Sequence, residues 1–143
     1  APTVLGLDGT KMSKTKGNVI EIGMDADTTA KLIKKAVTDS DRHITFDPEN
    51  RPEVSNLLTL ASLCTGREPV EIAEEIGDGG GGTLKKVVTE SVNEFFAPIR
   101  ARRVELAADP GYLLDVLRTG NAHANEVGDA TLAEVRQAMN MVY

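Results

Sequence analysis

The chain has 143 residues, 41% of them hydrophobic and 3% aromatic with no Trp, and a formal charge of -6 from 16 basic and 22 acidic side chains. That length and apolar share suffice for one compact core, packed mainly by aliphatic side chains. The acidic balance argues against sequence-independent attraction to nucleic acid or an anionic membrane surface, and no apolar run or amino-terminal signal marks a membrane or secreted protein, so a soluble, cytoplasmic chain with no membrane partner is expected.

Residues 4–7 read as the remnant or exit of a strand. The chain then enters Lys11-Met12-Ser13-Lys14-Thr15, preceded by Asp8-Gly9-Thr10 and followed by Lys16-Gly17-Asn18. Two lysines three apart, with hydroxyl-bearing neighbours and flanking glycines, make a mobile cationic loop suited to a triphosphate. A bare Lys-x-x-Lys is an ordinary solvated loop; five specific residues in order lift this one above that reading. With no sheet to join, the stretch is expected to be poorly ordered, since a loop alone cannot offset its own ordering entropy.

Helices follow a boundary at residues 18–25. Over residues 27–37, Leu32, Ile33, Ala36 and Val37 share a face and Asp27 can cap the first turn. Residues 38–51 read as a polar, irregular connection anchored by Ile44 and Phe46. Pro52 and Gly66 bracket the next helix. Its stripe of Val54, Leu57, Leu58, Ala61 and Cys64, widened by Leu60 and Leu63, predicts the most buried element. Cys64 is the only cysteine, which excludes an intrachain disulfide and reads as a small buried thiol rather than a nucleophile.

Pro69 and Gly77 frame a short helix carrying Val70, Ile72, Ala73 and Ile76. Residues 78–82 lack the lysine-hydroxyl ending of a P-loop and read as a flexible connector, with Thr83 capping a helix that runs to about residue 108. Pro98 is expected to bend that helix. Asp109 and Pro110 open the last helix. Its stripe, including Leu113, Leu117, Val127 and Val135, keeps phase across Gly120 and Gly128, which favours one near-continuous helix over a fresh start capped by Thr131 and Glu134.

The expected fold is therefore all-α, a helical bundle over residues 25–143 preceded by the lysine loop within residues 1–24. His43 and His123 stand alone and no metal site is read. Candidates for local contact with an anion are Lys31, Lys34 and Lys35 on one helix face, Lys85 and Lys86, and Arg100, Arg102 and Arg103. Each group has a plain alternative as a solvated helix exterior.

The five-residue string resembles the second signature loop of the class I aminoacyl-tRNA synthetases, whose usual form is Lys-Met-Ser-Lys-Ser. Thr15 departs from it and retains the hydroxyl. The likeness continues through Thr38-Asp39-Ser40 and Pro52-Glu53-Val54-Ser55-Asn56-Leu57-Leu58 to the end of the chain. As a whole the sequence resembles the carboxyl-terminal part of the bacterial tryptophanyl-tRNA synthetases, with the tyrosyl enzymes as near relatives.

That resemblance implies a parent enzyme that joins tryptophan to ATP, with magnesium accompanying the nucleotide, and transfers the amino acid to tRNA(Trp). Charge builds on the departing pyrophosphate as the amino-acid carboxylate attacks the α-phosphate. Lys11 and Lys14 would follow that charge as the catalytic pair, and Lys11, Met12, Ser13, Lys14 and Thr15 would form the phosphate-binding loop. No His-Ile-Gly-His-like first signature or nucleotide-binding parallel sheet is read here. Residues 1–24 are then expected to be the end of an otherwise absent Rossmann catalytic domain, and 25–143 the helical domain that contacts the anticodon.

Candidates for that contact are Thr38, Asp39, Arg42, Arg100, Arg102 and Arg103. Residues 38–41 read equally well as a helix stop whose side chains close its own turn. Alone, the fragment is expected to be inactive, with nothing to orient tryptophan or adenosine, to hold no cofactor, and to be monomeric even where the parent is a homodimer. The alternatives are a non-catalytic helical interaction protein derived from a synthetase, and a tyrosyl-tRNA synthetase fragment.

Overall fold

Pro52 at the first helical position and Gly66 just past the last residue delimit α2 (Pro52–Thr65), as the sequence predicts. In this computed structural model, which describes residues 4–141, α2 belongs to the first of two units, Ala1–Ala101, and supplies much of its core. The first three residues of the expected 1–24 segment and the last two of the expected 25–143 domain lie outside the described residues. Val54, Leu57, Leu58 and Ala61 are buried from one face of α2, and Ser55 and Asn56 with them. Leu63 departs from expectation: it is 62% exposed, and Cys64 only half-buried.

With α2 in this unit are α1 (Ala26–Lys34), α3 (Pro69–Ile76), which lies against α2, and the first half of α4 (Gly80–Ala107). They contribute Ile33, Ile72, Ala73, Ile76, Leu84, Val88 and Val92 to one aliphatic core, joined by Ala36 and Ile44 from the connection. A fully buried Leu or Ile such as Leu58 or Ile33 is worth about 1.5–3 kcal/mol of transfer free energy. Among the described residues there is no strand, only an isolated bridge between Leu5 and Lys11, so the fold is all-α as expected.

Two starts differ from the sequence reading. Asp25 rather than Asp27 caps α1, because its carboxylate accepts both from the Thr28 backbone N–H at 2.7 Å and from the Thr28 hydroxyl at 2.9 Å. That leaves Asp27 in the first turn, where a negative charge still favours the helix. The glycine run is not a connector: a 3-10 turn, Gly77–Gly79, leads directly into α4 at Gly80. The Thr83 hydroxyl donates to the Gly79 carbonyl inside this structure instead of capping a helix. At Gly81 a Cβ would lie 3.0 Å from the Thr38 hydroxyl, so the bare glycine lets that side chain approach closely.

Residues 35–51 have little regular structure but are well bonded. Arg51, at the cap of α2, places two guanidinium nitrogens on the two carboxylate oxygens of Asp39 at 2.7 and 2.8 Å. Its third nitrogen donates to the His43 carbonyl and the Thr45 hydroxyl. The Ile44 N–H donates to the Gly77 carbonyl and the His43 ring meets Asp78 at 2.7 Å, which fixes the connection against the start of α4.

The second unit, Arg102–Tyr143, holds the end of α4 and α5 (Pro110–Ala138). Asp109 caps α5 by accepting from the Tyr112 N–H at 2.9 Å. The helix runs unbroken through Gly120 and Gly128, and the Thr131 hydroxyl bonds back to the Val127 carbonyl rather than opening a new helix. Its apolar stripe, including Leu113, Leu117, Val127 and Val135, is exposed.

Candidate functional site

The stretch before the lysines is tied to α2 by one buried side chain. Asn56 accepts from the Leu5 N–H at 3.0 Å and donates to the Leu5 carbonyl at 3.1 Å, taking the place a neighbouring strand would have filled. Leu7 continues the attachment: its N–H donates to the Asn18 carbonyl and its carbonyl accepts from the Val37 N–H. Leu7 and Ile20 also pack on the core. The order unexpected from the sequence therefore has a source, because bonds to a helix that is already folded offset the entropy that a free loop could not.

Asn18, itself buried, closes the loop. Its side-chain oxygen accepts from the Ser13 N–H at 2.8 Å, and its amide nitrogen faces Asp8 Oδ1 at 2.8 Å, the Lys11 carbonyl at 3.2 Å and the Thr10 hydroxyl at 3.3 Å. A backbone N–H on one side and a carboxylate on the other fix which end is oxygen. Gly6 makes the close approach possible, since a Cβ there would stand 2.4 Å from the Asn18 nitrogen. The Asn18 amide, with the Thr10 N–H after it, holds the Asp8 carboxyl below the usual carboxylate range.

Lys11 and Lys14 lie on this frame, both exposed. Among the described residues neither has a carboxylate within ion-pair distance. Lys14 opens a 3-10 turn, Lys14–Lys16, after an extended Ser13. Lys16 is turned back to the Thr10 hydroxyl at 3.2 Å. The Ser13 and Thr15 hydroxyls bond each other at 2.9 Å. The loop thus offers two uncommitted ammonium groups on a backbone pinned by Asn18, an arrangement able to receive an anion. Beside it, Met12 helps line an apolar hollow of about 250 Å³ with Leu5, Ile20, Leu60, Cys64 and Phe95. Burial there pushes the Cys64 thiol up.

The six residues proposed from the sequence for RNA contact are placed differently from one another. Thr38 and Arg42 border the first turn of α4, near Gly81 and Gly80. The Asp39 carboxylate is taken up by Arg51, whose hydrogen bonds hold it below the usual range. Arg100 points inward, donating to Asn93 at 2.7 Å and to the Thr29 hydroxyl at 2.9 Å, with its guanidinium 5.9 Å from the centre of the Phe96 ring. Arg102 pairs with Glu105, and Arg103 is exposed. Among the described residues no group of three or more His, Cys, Asp or Glu could hold a metal, and no helix is long and apolar enough to cross a membrane. Asn18, Asn56 and Arg51 were not legible as site residues, because their partners lie up to 51 positions away.

Comparison with known proteins gives a consistent result. Relatives include tryptophan–tRNA ligase 1 of Streptomyces coelicolor, 36% identical over 132 residues, covering 92% of this chain and 39% of that protein. Tryptophan–tRNA ligase of a Nostoc species is 40% identical over 136 residues, covering 92% and 41%. The crystal structure of tryptophanyl-tRNA synthetase from Campylobacter jejuni complexed with ADP and tryptophan superposes with a TM-score of 0.78 at 29% identity, over 97% of this chain and 44% of that one. The chain spans about two-fifths of the length of the curated relatives it matches. The family described as tRNA synthetases class I (W and Y) matches residues 1–97. On the lysine loop, the helical fold and these likenesses together, the chain belongs to the class I tRNA synthetases of the W and Y family.

Proposed function

We propose that this chain is part of a tryptophan–tRNA ligase, in which the loop at residues 11–15 neutralises the triphosphate of magnesium-bound ATP while tryptophan is activated. The observation that carries the reading is the pair of uncommitted ammonium groups, Lys11 and Lys14, on a loop closed by Asn18. A compact cation on a flexible stem can tighten its contact as charge moves onto pyrophosphate, which lowers the barrier rather than only improving binding. The named relatives favour tryptophan over tyrosine, and their amino acid and tRNA are taken as the substrates of the complete protein.

In the same reading, residues 1–24 end a catalytic domain and the helices after them face tRNA(Trp). Residues 38–42 and the arginines at 100, 102 and 103 are the first candidates, Arg100 only if it leaves Asn93 and Thr29. The complete enzyme acts in the cytoplasm as a homodimer, and the 143-residue piece is monomeric and inactive alone. The test is ATP–pyrophosphate exchange. The complete protein should exchange with tryptophan and not with tyrosine, and the 143-residue chain should show no turnover with either. Exchange driven by tyrosine would overturn the substrate, and turnover by the piece alone would overturn the division of labour.

A further inference from the structure

Arg100, on α4, is a half-buried cation with no acid to answer it. Its Nη2 donates to the Thr29 hydroxyl at 2.9 Å and its Nη1 to the Asn93 side-chain oxygen at 2.7 Å, with the guanidinium 5.9 Å from the centre of the Phe96 ring. The Nε is buried without a partner, and among the described residues no carboxylate lies within ion-pair distance of Arg100. Asn93 extends the tie by donating from Nδ2 to the Ala26 carbonyl at 3.2 Å, and the hydroxyl of the fully buried Thr29 donates in turn to the Asp25 carbonyl at 2.9 Å. Two side chains of α4 thereby hold the first turn of α1.

Stability alone accounts poorly for this arrangement. A cation drawn out of water without a counter-charge loses solvation that neutral acceptors repay only in part, and an unpartnered buried N–H adds to the cost. What a guanidinium supplies is geometry: donors fixed in one plane, here spanning acceptors on two helices beside an aromatic ring. The other end of α1 shows what that geometry holds. Leu32, Lys35 and Val37 line a hollow of about 270 Å³ together with Lys16, Gly17 and Asn18, which close the lysine loop, and the Val37 N–H donates to the Leu7 carbonyl at 2.9 Å. At about 1.5 Å per residue the nine residues of α1 measure about 13 Å, so a tilt of about 10° at the clamped end moves the loop end by about 2 Å. A displacement of that order is large against the tolerance of a reacting centre.

We propose that Arg100 is a positioning residue for amino-acid activation: with Asn93 and Thr29 it fixes the tilt of α1, and through α1 the place of the lysine loop against ATP. The proposal rests on the reading of residues 11–15 as the phosphate loop of the complete protein. Arg100 acts from where its hydrogen bonds hold it, so its effect needs no tRNA.

The test is tryptophan-driven pyrophosphate exchange by the complete protein without tRNA. Arg100→Ala and Thr29→Val should each lower kcat about tenfold while the KM for tryptophan stays unchanged, and the double variant should be no worse than the poorer single one, since both break the same tie. Arg100→Lys, which can still donate to Thr29, should recover most of the rate. Ile72→Val, a change in the buried core on α3, gives the effect of lost stability by itself and should leave kcat unaltered. An unchanged kcat in Arg100→Ala, even with weakened tRNA binding, or an equal loss in Ile72→Val, would overturn the proposal while leaving the ligase reading intact. Failure of the unsubstituted protein to exchange with tryptophan would overturn both.

Discussion

Asn18 does more to shape the lysine loop than either lysine. Its amide joins Ser13, Lys11, Thr10 and Asp8 around one buried side chain, and Gly6 gives it the room. Removing it leaves the Ser13 N–H and the Asp8 carboxylate to find new partners, and a lost buried hydrogen bond is worth on the order of 1–3 kcal/mol. In the complete protein Asn18→Ala is expected to lower the pyrophosphate exchange rate about tenfold or raise the KM for ATP by as much, the equivalent of about 1.4 kcal/mol. The KM for tryptophan should stay as it was. Gly6→Ala should behave the same way, because its methyl would displace the same amide. Equal losses for ATP and tryptophan would mean that Asn18 supports the fold at large and not the loop.

At the scale of elements, the connection between α1 and α2 is organised by the Arg51–Asp39 pair. Asp39 titrates below its ordinary value because the Arg51 guanidinium donates to it. The stabilisation this gives is complete above the unfolded aspartate pKa, about 3.9, and is lost as pH falls through the lower folded value. Asp39→Asn is expected to reduce the melting temperature at pH 7, and the gap from the unsubstituted chain should narrow as pH falls below the unfolded aspartate value, about 3.9, and through the lower folded one. A gap that persists unchanged through that range would show that charge is not what Asp39 contributes. Thermal melts followed by circular dichroism across pH 2.5–7 would measure it.

Proline and glycine make α2, α3 and α5 legible in the sequence, because they act on their own backbone. The start of α4 is hidden there for the opposite reason: Gly80 and Gly81 signal a loop by local rules, and Thr38 and Arg42, which lie beside them in the fold, are about forty positions away in sequence. Asp25 and Asp27 are both able to cap α1, and only the position of Thr28 decides between them. The lysine motif is legible because its residues are contiguous. Asn18, Asn56 and Arg51 are not, since what they do depends on partners brought together by folding. Arg100 illustrates the converse error of reading charge as exposure, for two of its guanidinium nitrogens donate to Asn93 and Thr29 and the third, Nε, is buried without a partner.

For the whole molecule, the first unit carries the loop at residues 11–15 together with the helices that hold it. On the proposed reading of that loop, its substitutions should slow amino-acid activation measured without tRNA. The most direct measurement is tryptophan-driven pyrophosphate exchange by the complete protein with Lys11 and Lys14 both changed to Ala. The rate is expected to fall by about 100-fold or more, as when a donor to developing negative charge is removed, with the Kd for tryptophan unchanged. An exchange rate equal to that of the unsubstituted protein would contradict the assignment of these two lysines to the phosphates of ATP.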